Sequence, residues 1–102
     1  MKLTNLMSEL VKRNGSDLHL TGDSVPFFRI QGQILPASGE KYPSSDLRTD
    51  LEKILGLEKL AKFDKEKELD CSYGLKGIAR FRMNIFIDRG KISCVMLSLI
   101  HI

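Results

Sequence analysis

Apolar positions recur with helical spacing in two parts of this 102-residue chain. Near the N-terminus the i, i+3, i+4 spacing predicts a first helix over residues 3–13. It is ended by Asn14-Gly15, a pair that tolerates the left-handed conformation common at helix ends. A second helix is predicted after a cap at Ser45 or Asp46, and Gly56 is expected to separate it from a short third helix.

Six other segments are predicted to be strands, and in three of them, residues 16–21, 68–73 and 79–87, apolar and polar residues alternate with a period of two, which is typical of half-buried strands. The order of elements is α-β-β-β-α-α-β-β-β. Because regular βαβ alternation is missing, this order favours an α+β fold with a mostly antiparallel sheet. The last strand is apolar on both sides after Val95, so we expect something to cover each of its faces. The predicted strands cover residues 16–21, 27–30, 33–35, 68–73, 79–87 and a final segment from Lys91.

Composition excludes several classes of function. The chain has 16 basic and 13 acidic residues, a net charge of +3, and no basic stripe interleaved with aromatics, so nucleic-acid binding is not expected. No run of 18 apolar residues is present, so no transmembrane segment is expected. Residues 1–102 are expected to form one domain. Cys71 and Cys94 are expected to be reduced, buried thiols of a cytoplasmic protein, because no signal peptide precedes them.

A complete active site is not expected in this chain. A Walker phosphate loop requires Gly-x-x-x-x-Gly-Lys-Ser/Thr, and no segment matches it, so we predict no catalytic residue and no ATP hydrolysis by this part alone. No metal site is predicted, because His19 and His101 lack partners at ligand spacing. His19 is instead expected on a strand surface, paired with a carboxylate or carbonyl, on the same side as Asp17. Nothing supports a nucleophile–base pair of a cysteine with a histidine.

A row of arginines is the feature that carries candidate chemistry. Arg80 and Arg82 are predicted to lie about 7 Å apart on one face of a strand. Arg89 follows in the adjoining turn and is expected to reach the same edge. Guanidinium groups suit phosphate oxygens, since their fork geometry allows bidentate contacts. The alternative is a solvated outer face with ion pairs to Glu68 and Asp70, and the residues alone leave both open.

Three segments resemble the N-terminal domain of type IV pilus retraction ATPases, the PilT-like twitching-motility proteins of the secretion ATPase superfamily. They occur in the family's order together with the leading helix and the last strand, so the resemblance covers nearly the whole chain. One departure is in the last strand, where family members often carry an arginine followed two residues later by Ile-Pro, and this chain has Ser98-Leu99-Ile100-His101. The segments are residues 15–20 (GSDLHL), 28–32 (FRIQG) and 79–86 (ARFRMNIF).

The resemblance implies a PAS-like domain that precedes a RecA-like ATPase domain in a homohexameric ring. Each N-terminal domain would contact the ATPase domains of its own and the neighbouring subunit. ATP and Mg²⁺ would bind in the full-length protein, and no cofactor is expected for the isolated domain. By this analogy Arg80, Arg82 and Arg89 would contact nucleotide phosphates. The implied function is to power pilus retraction and twitching motility through an inner-membrane platform protein, from the cytoplasmic face of the bacterial cell membrane.

Other functions stay open. The corresponding domain of a pilus-assembly or type II secretion ATPase would share these segments, but those proteins usually carry additional N-terminal domains, whereas here the helix begins almost at Met1. A stand-alone PAS-like sensor would need a roomy polar pocket, and the predicted apolar faces look filled by large side chains. A protein-interaction module is a third class. The chain ends where an interdomain linker should begin, so we expect it to be one domain of a longer protein.

Overall fold

The computed structural model describes the backbone of residues 2–101 and the side chains of residues 2–99. Three helices pack on one face of a six-stranded sheet in which every neighbouring pair of strands is antiparallel. The predicted α+β class and the predicted order of elements are confirmed. The elements are α1 (Lys2–Lys12), β1 (Asp17–Thr21), β2 (Phe27–Ile30), β3 (Gln33–Pro36), α2 (Ser44–Leu55), α3 (Leu57–Glu66), β4 (Glu68–Leu75), β5 (Ala79–Asp88) and β6 (Lys91–His101).

The strand order is β3-β2-β1-β6-β5-β4, so the first and last strands lie side by side in the centre of the sheet. The register of this central pair sets Leu18 opposite Met96 and Leu20 opposite Cys94. All four of these side chains are buried beneath the helices. The place of β6 beneath the helices explains the apolar residues Ile92, Cys94 and Met96, because these side chains are buried in the core.

The two faces of the sheet differ sharply in burial. The face covered by the helices, here called the helical face, holds the core, including Phe81, Met83 and Ile85 at alternate positions of β5. The other face, here called the open face, is not covered by the described part of the chain. On β6, Leu97 is 42% exposed and Leu99 is 57% exposed. The expectation that both sides of β6 are covered therefore holds for the helical face alone.

Helix α2 is capped from a distance, and the predicted cap at Ser45 or Asp46 is wrong. The helix begins at Ser44, and no side chain next to it in sequence forms the cap. Instead a carboxylate oxygen of Asp23, in the turn after β1, accepts a hydrogen bond from the backbone N–H of Ser44 at 2.9 Å. Gly22 permits this approach, since a Cβ there would lie 3.0 Å from the Cα of Ser44. A cap contributed from 21 residues away leaves no local sequence signal.

The remaining boundaries follow the predicted local chemistry. Asn14 adopts the left-handed conformation (φ 55°) after α1. Gly56, with a φ of 93°, separates α2 from α3 as predicted. The two helices are then joined by Arg48, whose guanidinium contacts Asp64 at 2.5 Å and Glu52 at 3.3 Å. No described helix is both long enough and apolar enough to cross a membrane.

Candidate functional site

The predicted arginine row is present on the open face of β5. Residues at alternate positions of this strand are buried on the helical face, which turns Arg80 and Arg82 to the opposite side. Arg80 lies opposite Gly74 of β4, and Arg82 lies opposite Ser72. Both arginines are exposed, and 62% of the Arg82 side chain is accessible. Two guanidinium groups are thus available to a ligand or partner that approaches this face.

Arg82 pairs with Asp70 of the adjacent strand. Its Nη2 donates to one carboxylate oxygen at 2.8 Å, and its Nε donates to the other at 3.3 Å. These hydrogen bonds lower the pKa of Asp70 and raise the pKa of Arg82. The ion-pair alternative drawn from the sequence is therefore realised with Asp70, whereas Glu68 forms no ion pair within the described residues. Both partners are exposed, and solvent-exposed ion pairs are weak, so Arg82 can exchange this carboxylate for another anion at little cost.

Arg89 does not join this row, and the expectation that it reaches the same edge is wrong. It lies in the two-residue turn between β5 and β6 with a φ of 53°, at the far end of the strand. Seven residues of extended chain separate Arg82 from Arg89, which is roughly 23 Å at about 3.3 Å per residue. Arg89 does follow β5 directly, as predicted. Arg80 is two residues further from Arg89 than Arg82 is, so neither arginine of the row shares an edge with Arg89.

Arg89 instead lines an open cleft of about 510 Å³ between the β5–β6 turn and the β1–β2 turn. Lys91 also lines this cleft, but its ammonium group is 2.7 Å from Asp23. The hydrogen bond from Lys91, followed by that from the Ser44 backbone, lowers the pKa of Asp23 to about 2. Arg89 has no ion pair or side-chain hydrogen bond within the described residues. Of the two basic side chains Arg89 and Lys91 that line the cleft, Arg89 is therefore the one that no described carboxylate contacts.

A buried carboxylate lies at the start of β1 on the open face. Asp17 is 7% exposed and accepts hydrogen bonds from the Ser16 hydroxyl and from Nε2 of His19. The Nε of Arg29 is 3.6 Å from the same carboxylate. Burial acts to raise the pKa of Asp17, but the hydrogen bonds from Ser16 and His19 and the two neighbouring charges outweigh it, so this pKa is lowered. The imidazole of His19 stacks on Phe27, with ring centroids 4.5 Å apart.

This network confirms the prediction that His19 is a strand-surface imidazole paired with a carboxylate on the side of Asp17. It also separates His19 from both thiols, since Cys94 and Cys71 belong to the helical face. Cys94 is buried and Cys71 is half-buried, and burial raises the pKa of each. His101 lies outside the described side chains. Among residues 2–99 no three metal-ligating side chains come together.

Two features of this surface escaped the sequence analysis. Asp23 lies between the predicted strands 16–21 and 27–30 and has no predicted role, and Arg29 has none beyond its place in the FRIQG segment. The strand alternation around Arg29 does place it on the side opposite Phe28, which is fully buried. That signal shows which face Arg29 occupies, but its closeness to Asp17 depends on how β1 and β2 pair.

The characterised proteins that the chain resembles in sequence are type IV pilus ATPases. No protein-family model matches the chain. It is 23% identical over 96 residues to the type IV pilus ATPase PilU of Pseudomonas aeruginosa, which is 94% of this chain and 25% of PilU. It is 28% identical over 86 residues to the type IV pilus retraction ATPase PilT of the same organism, which is 84% of this chain and 25% of PilT. The chain thus spans about a quarter of the length of these relatives.

Solved structures share the whole fold. The crystal structure of the pilus retraction motor PilT with bound ADP aligns with a TM-score of 0.85 at 26% identity, over 98% of this chain and 29% of that chain. The ATPase DotB of Legionella pneumophila aligns with a TM-score of 0.84 at 16% identity, over 97% of this chain and 28% of that chain. The resemblance to PilT-like proteins is confirmed: the homologues are PilU and PilT, and the fold is that of the N-terminal domain of PilT.

Proposed function

We propose that this chain, a homologue of the pilus ATPases PilU and PilT, is the nucleotide-responsive N-terminal domain of a hexameric ATPase that powers type IV pilus retraction and twitching motility. The complete protein would bind ATP and Mg²⁺ in a separate RecA-like domain. The domain described here would contribute to ring assembly and would meet the nucleotide held by that second domain. It would act at the cytoplasmic face of the cell membrane, on a platform protein of the pilus machine.

The observation that carries this proposal is the extent of the match. Nearly the whole chain aligns with PilU and PilT, yet it accounts for only a quarter of each. The chain contains no Walker phosphate loop, so a parent ATPase must supply that loop from another domain. PilT was solved with bound ADP, which supports nucleotide use by a protein built on this domain.

The open face supports a role in contact with another domain. A central strand that leaves Leu97 and Leu99 exposed suits a partner surface, because large exposed apolar groups in the middle of a sheet are normally covered. Arg80 and Arg82 lie beside this apolar stripe and provide charge for phosphate oxygens. Arginines contributed to a phosphoryl-transfer site stabilise developing negative charge and couple hydrolysis to the positions of domains.

A second candidate is the corresponding domain of a pilus-assembly or secretion ATPase. The DotB structures support this class at the level of fold, since the protein from Yersinia pseudotuberculosis aligns over 97% of this chain and 30% of that chain with a TM-score of 0.77 at 13% identity. A stand-alone sensor has weaker support. The helical face is filled by core side chains, and the cleft near Arg89 is open to solvent.

The test is to read the gene beyond the codon for Ile102 and to express the complete product. We expect a Gly-x-x-x-x-Gly-Lys-Ser/Thr segment in the following domain, Mg²⁺-dependent ATP hydrolysis, and a particle of six subunits by light scattering. A stop codon directly after Ile102 would instead support a stand-alone module. Deletion of the gene separates the two motor classes: cells that keep surface pili but no longer twitch indicate retraction, and cells without pili indicate assembly.

A further inference from the structure

Four residues of the open face lie on one line across the sheet. Strand pairing sets Arg29 opposite Asp17, Asp17 opposite Leu97, and Leu97 opposite Arg82. The line therefore has an arginine at each end, on β2 and on β5. Three strand spacings of about 4.8 Å separate their backbones, roughly 14 Å. Two arginine side chains that lean toward the centre of this line can reach a common polyanion.

Arg29 is the less committed of the two guanidinium groups. Its side chain is 41% exposed, and its approach to Asp17 is through Nε at 3.6 Å, beyond hydrogen-bond distance. Within the described residues the guanidinium of Arg29 forms no hydrogen bond. Arg82, by contrast, is held by two hydrogen bonds to Asp70. An anion that approaches the open face would meet an Arg29 side chain with its donors unused.

Asp17 is suited to hold Arg29 in place. A carboxylate on a side chain that is only 10% exposed is costly unless it is paired, and here Ser16 and His19 donate hydrogen bonds to it while Arg29 adds its charge. His19 is fixed in turn by its stacking on Phe27. The network keeps the negative charge of Asp17 near Nε of Arg29. This charge orients the guanidinium group, and its N–H donors stay available for a ligand.

The two central positions of the line are Asp17, which is a carboxylate, and Leu97, which is uncharged. Between Asp17 and Arg82 the sheet presents Leu97, and the neighbouring open-face position on β6 is Val95. The charge of Asp17 is offset by Arg29 and by its hydrogen bonds. A polyphosphate seated over Leu97 would therefore have a guanidinium group on either side, and the nearby charge of Asp17 is offset by Arg29.

We propose that Arg29 is a second phosphate-binding residue of the open face, which contacts the same nucleotide as Arg82, and that Asp17 and His19 are its positioning residues. This inference rests on the proposed function, because the nucleotide is held by the ATPase domain of the complete protein. Two guanidinium groups on opposite sides of a polyphosphate hold it more specifically than one, since each forms charge-assisted hydrogen bonds from its own direction.

The test measures equilibrium binding of a slowly hydrolysed ATP analogue with Mg²⁺ to the complete gene product. Arg29→Ala is expected to raise the Kd about tenfold, the effect of losing one charge-assisted hydrogen bond to phosphate. Arg29→Lys is expected to recover part of this loss, because it keeps the charge without the fork. Lys12→Ala removes the same charge from an exposed position at the end of α1 and is expected to leave the Kd unchanged.

Asp17→Asn tests whether Asp17 acts on nucleotide binding by positioning Arg29. It is expected to raise the Kd several-fold in the presence of Arg29 and to add nothing to Arg29→Ala, because the two residues act on one contact. The melting temperature of each variant is measured alongside, so that a loss of folding is recognised. If Arg82→Ala weakens binding and neither Arg29→Ala nor Arg29→Lys does, the role of Arg29 is overturned while the proposed function stands. If none of the three changes the Kd, the nucleotide role of the whole face is overturned.

Discussion

The carboxylate of Asp23 caps helix α2 through the backbone N–H of Ser44, and the ammonium group of Lys91 holds the same carboxylate from the β5–β6 end of the sheet. One side chain thus joins a turn, a helix and the central strand. This contact ties the start of α2 to the turn after β1 and to β6, and it is accessible to mutation without disturbing the core.

Replacement of Asp23 by alanine removes the cap and is expected to lower the melting temperature by roughly 3–6 °C. Asp23→Asn should lose less, because an amide oxygen still accepts the hydrogen bond from Ser44. Asp88→Asn, at the end of β5 near the same turn, is the matched control and should leave the melting temperature unchanged. Circular dichroism of the three variants checks this. Equal melting temperatures for Asp23→Ala and the unmodified chain would show that the cap contributes nothing.

The same residue gives a pH dependence with a defined sign. Its pKa is about 2 in the folded protein against an ordinary value of 3.8, so the unfolded chain binds the proton more readily. The stabilisation is fully present above an unfolded pKa of about 4 and is lost as the pH falls toward 2. Urea unfolding at several pH values in this window is expected to show a shallower decline for Asp23→Ala. Parallel profiles for the two proteins would contradict this.

The two faces of the sheet are expected to respond differently to truncation. Met83 is fully buried on the helical face, so Met83→Ala should cost about 2–5 kcal/mol of unfolding free energy. Leu97 is 42% exposed on the open face, so Leu97→Ser should change the stability of this chain by only about 0.5–1 kcal/mol. Urea titration measures both values. A large loss for Leu97→Ser would mean that the open face is packed within the domain and not free for a partner.

The thiols are expected to react in a fixed order with a thiol-specific reagent. Burial raises the pKa of both, and Cys94 is fully buried whereas Cys71 is half-buried. Because the thiolate is the reactive form, Cys71 should react slowly in the native protein and Cys94 only on unfolding. Cys71→Ser should therefore abolish native-state labelling, and Cys94→Ser should leave it unchanged. Rapid native labelling of Cys71→Ser would contradict the packing of β6 against the helices.

Local patterns account for most of the fold, and long-range pairing accounts for what they missed. The alternation in β5 and the turn residues around Gly56 act over a few positions, so the elements could be predicted one by one. The cap on α2 depends on a contact between residues 21 positions apart, whereas the distance of Arg89 from Arg82 follows from the length of β5. The place of Arg29 on a line with Arg82 depends likewise on the pairing of β1 with β6, the first strand with the last. No local pattern encodes such a register.

The most direct test of the central claim, that the arginine row of the open face meets a nucleotide bound by another domain, is the ATPase turnover of Arg82→Ala in the complete gene product. We predict that turnover falls on the order of tenfold or more, because a guanidinium that stabilises the transferring phosphate is lost. The melting temperature should stay within about 2 °C, since the pair with Asp70 is exposed. Unchanged turnover together with a large loss of thermal stability would make Arg82 a structural residue and would contradict the account.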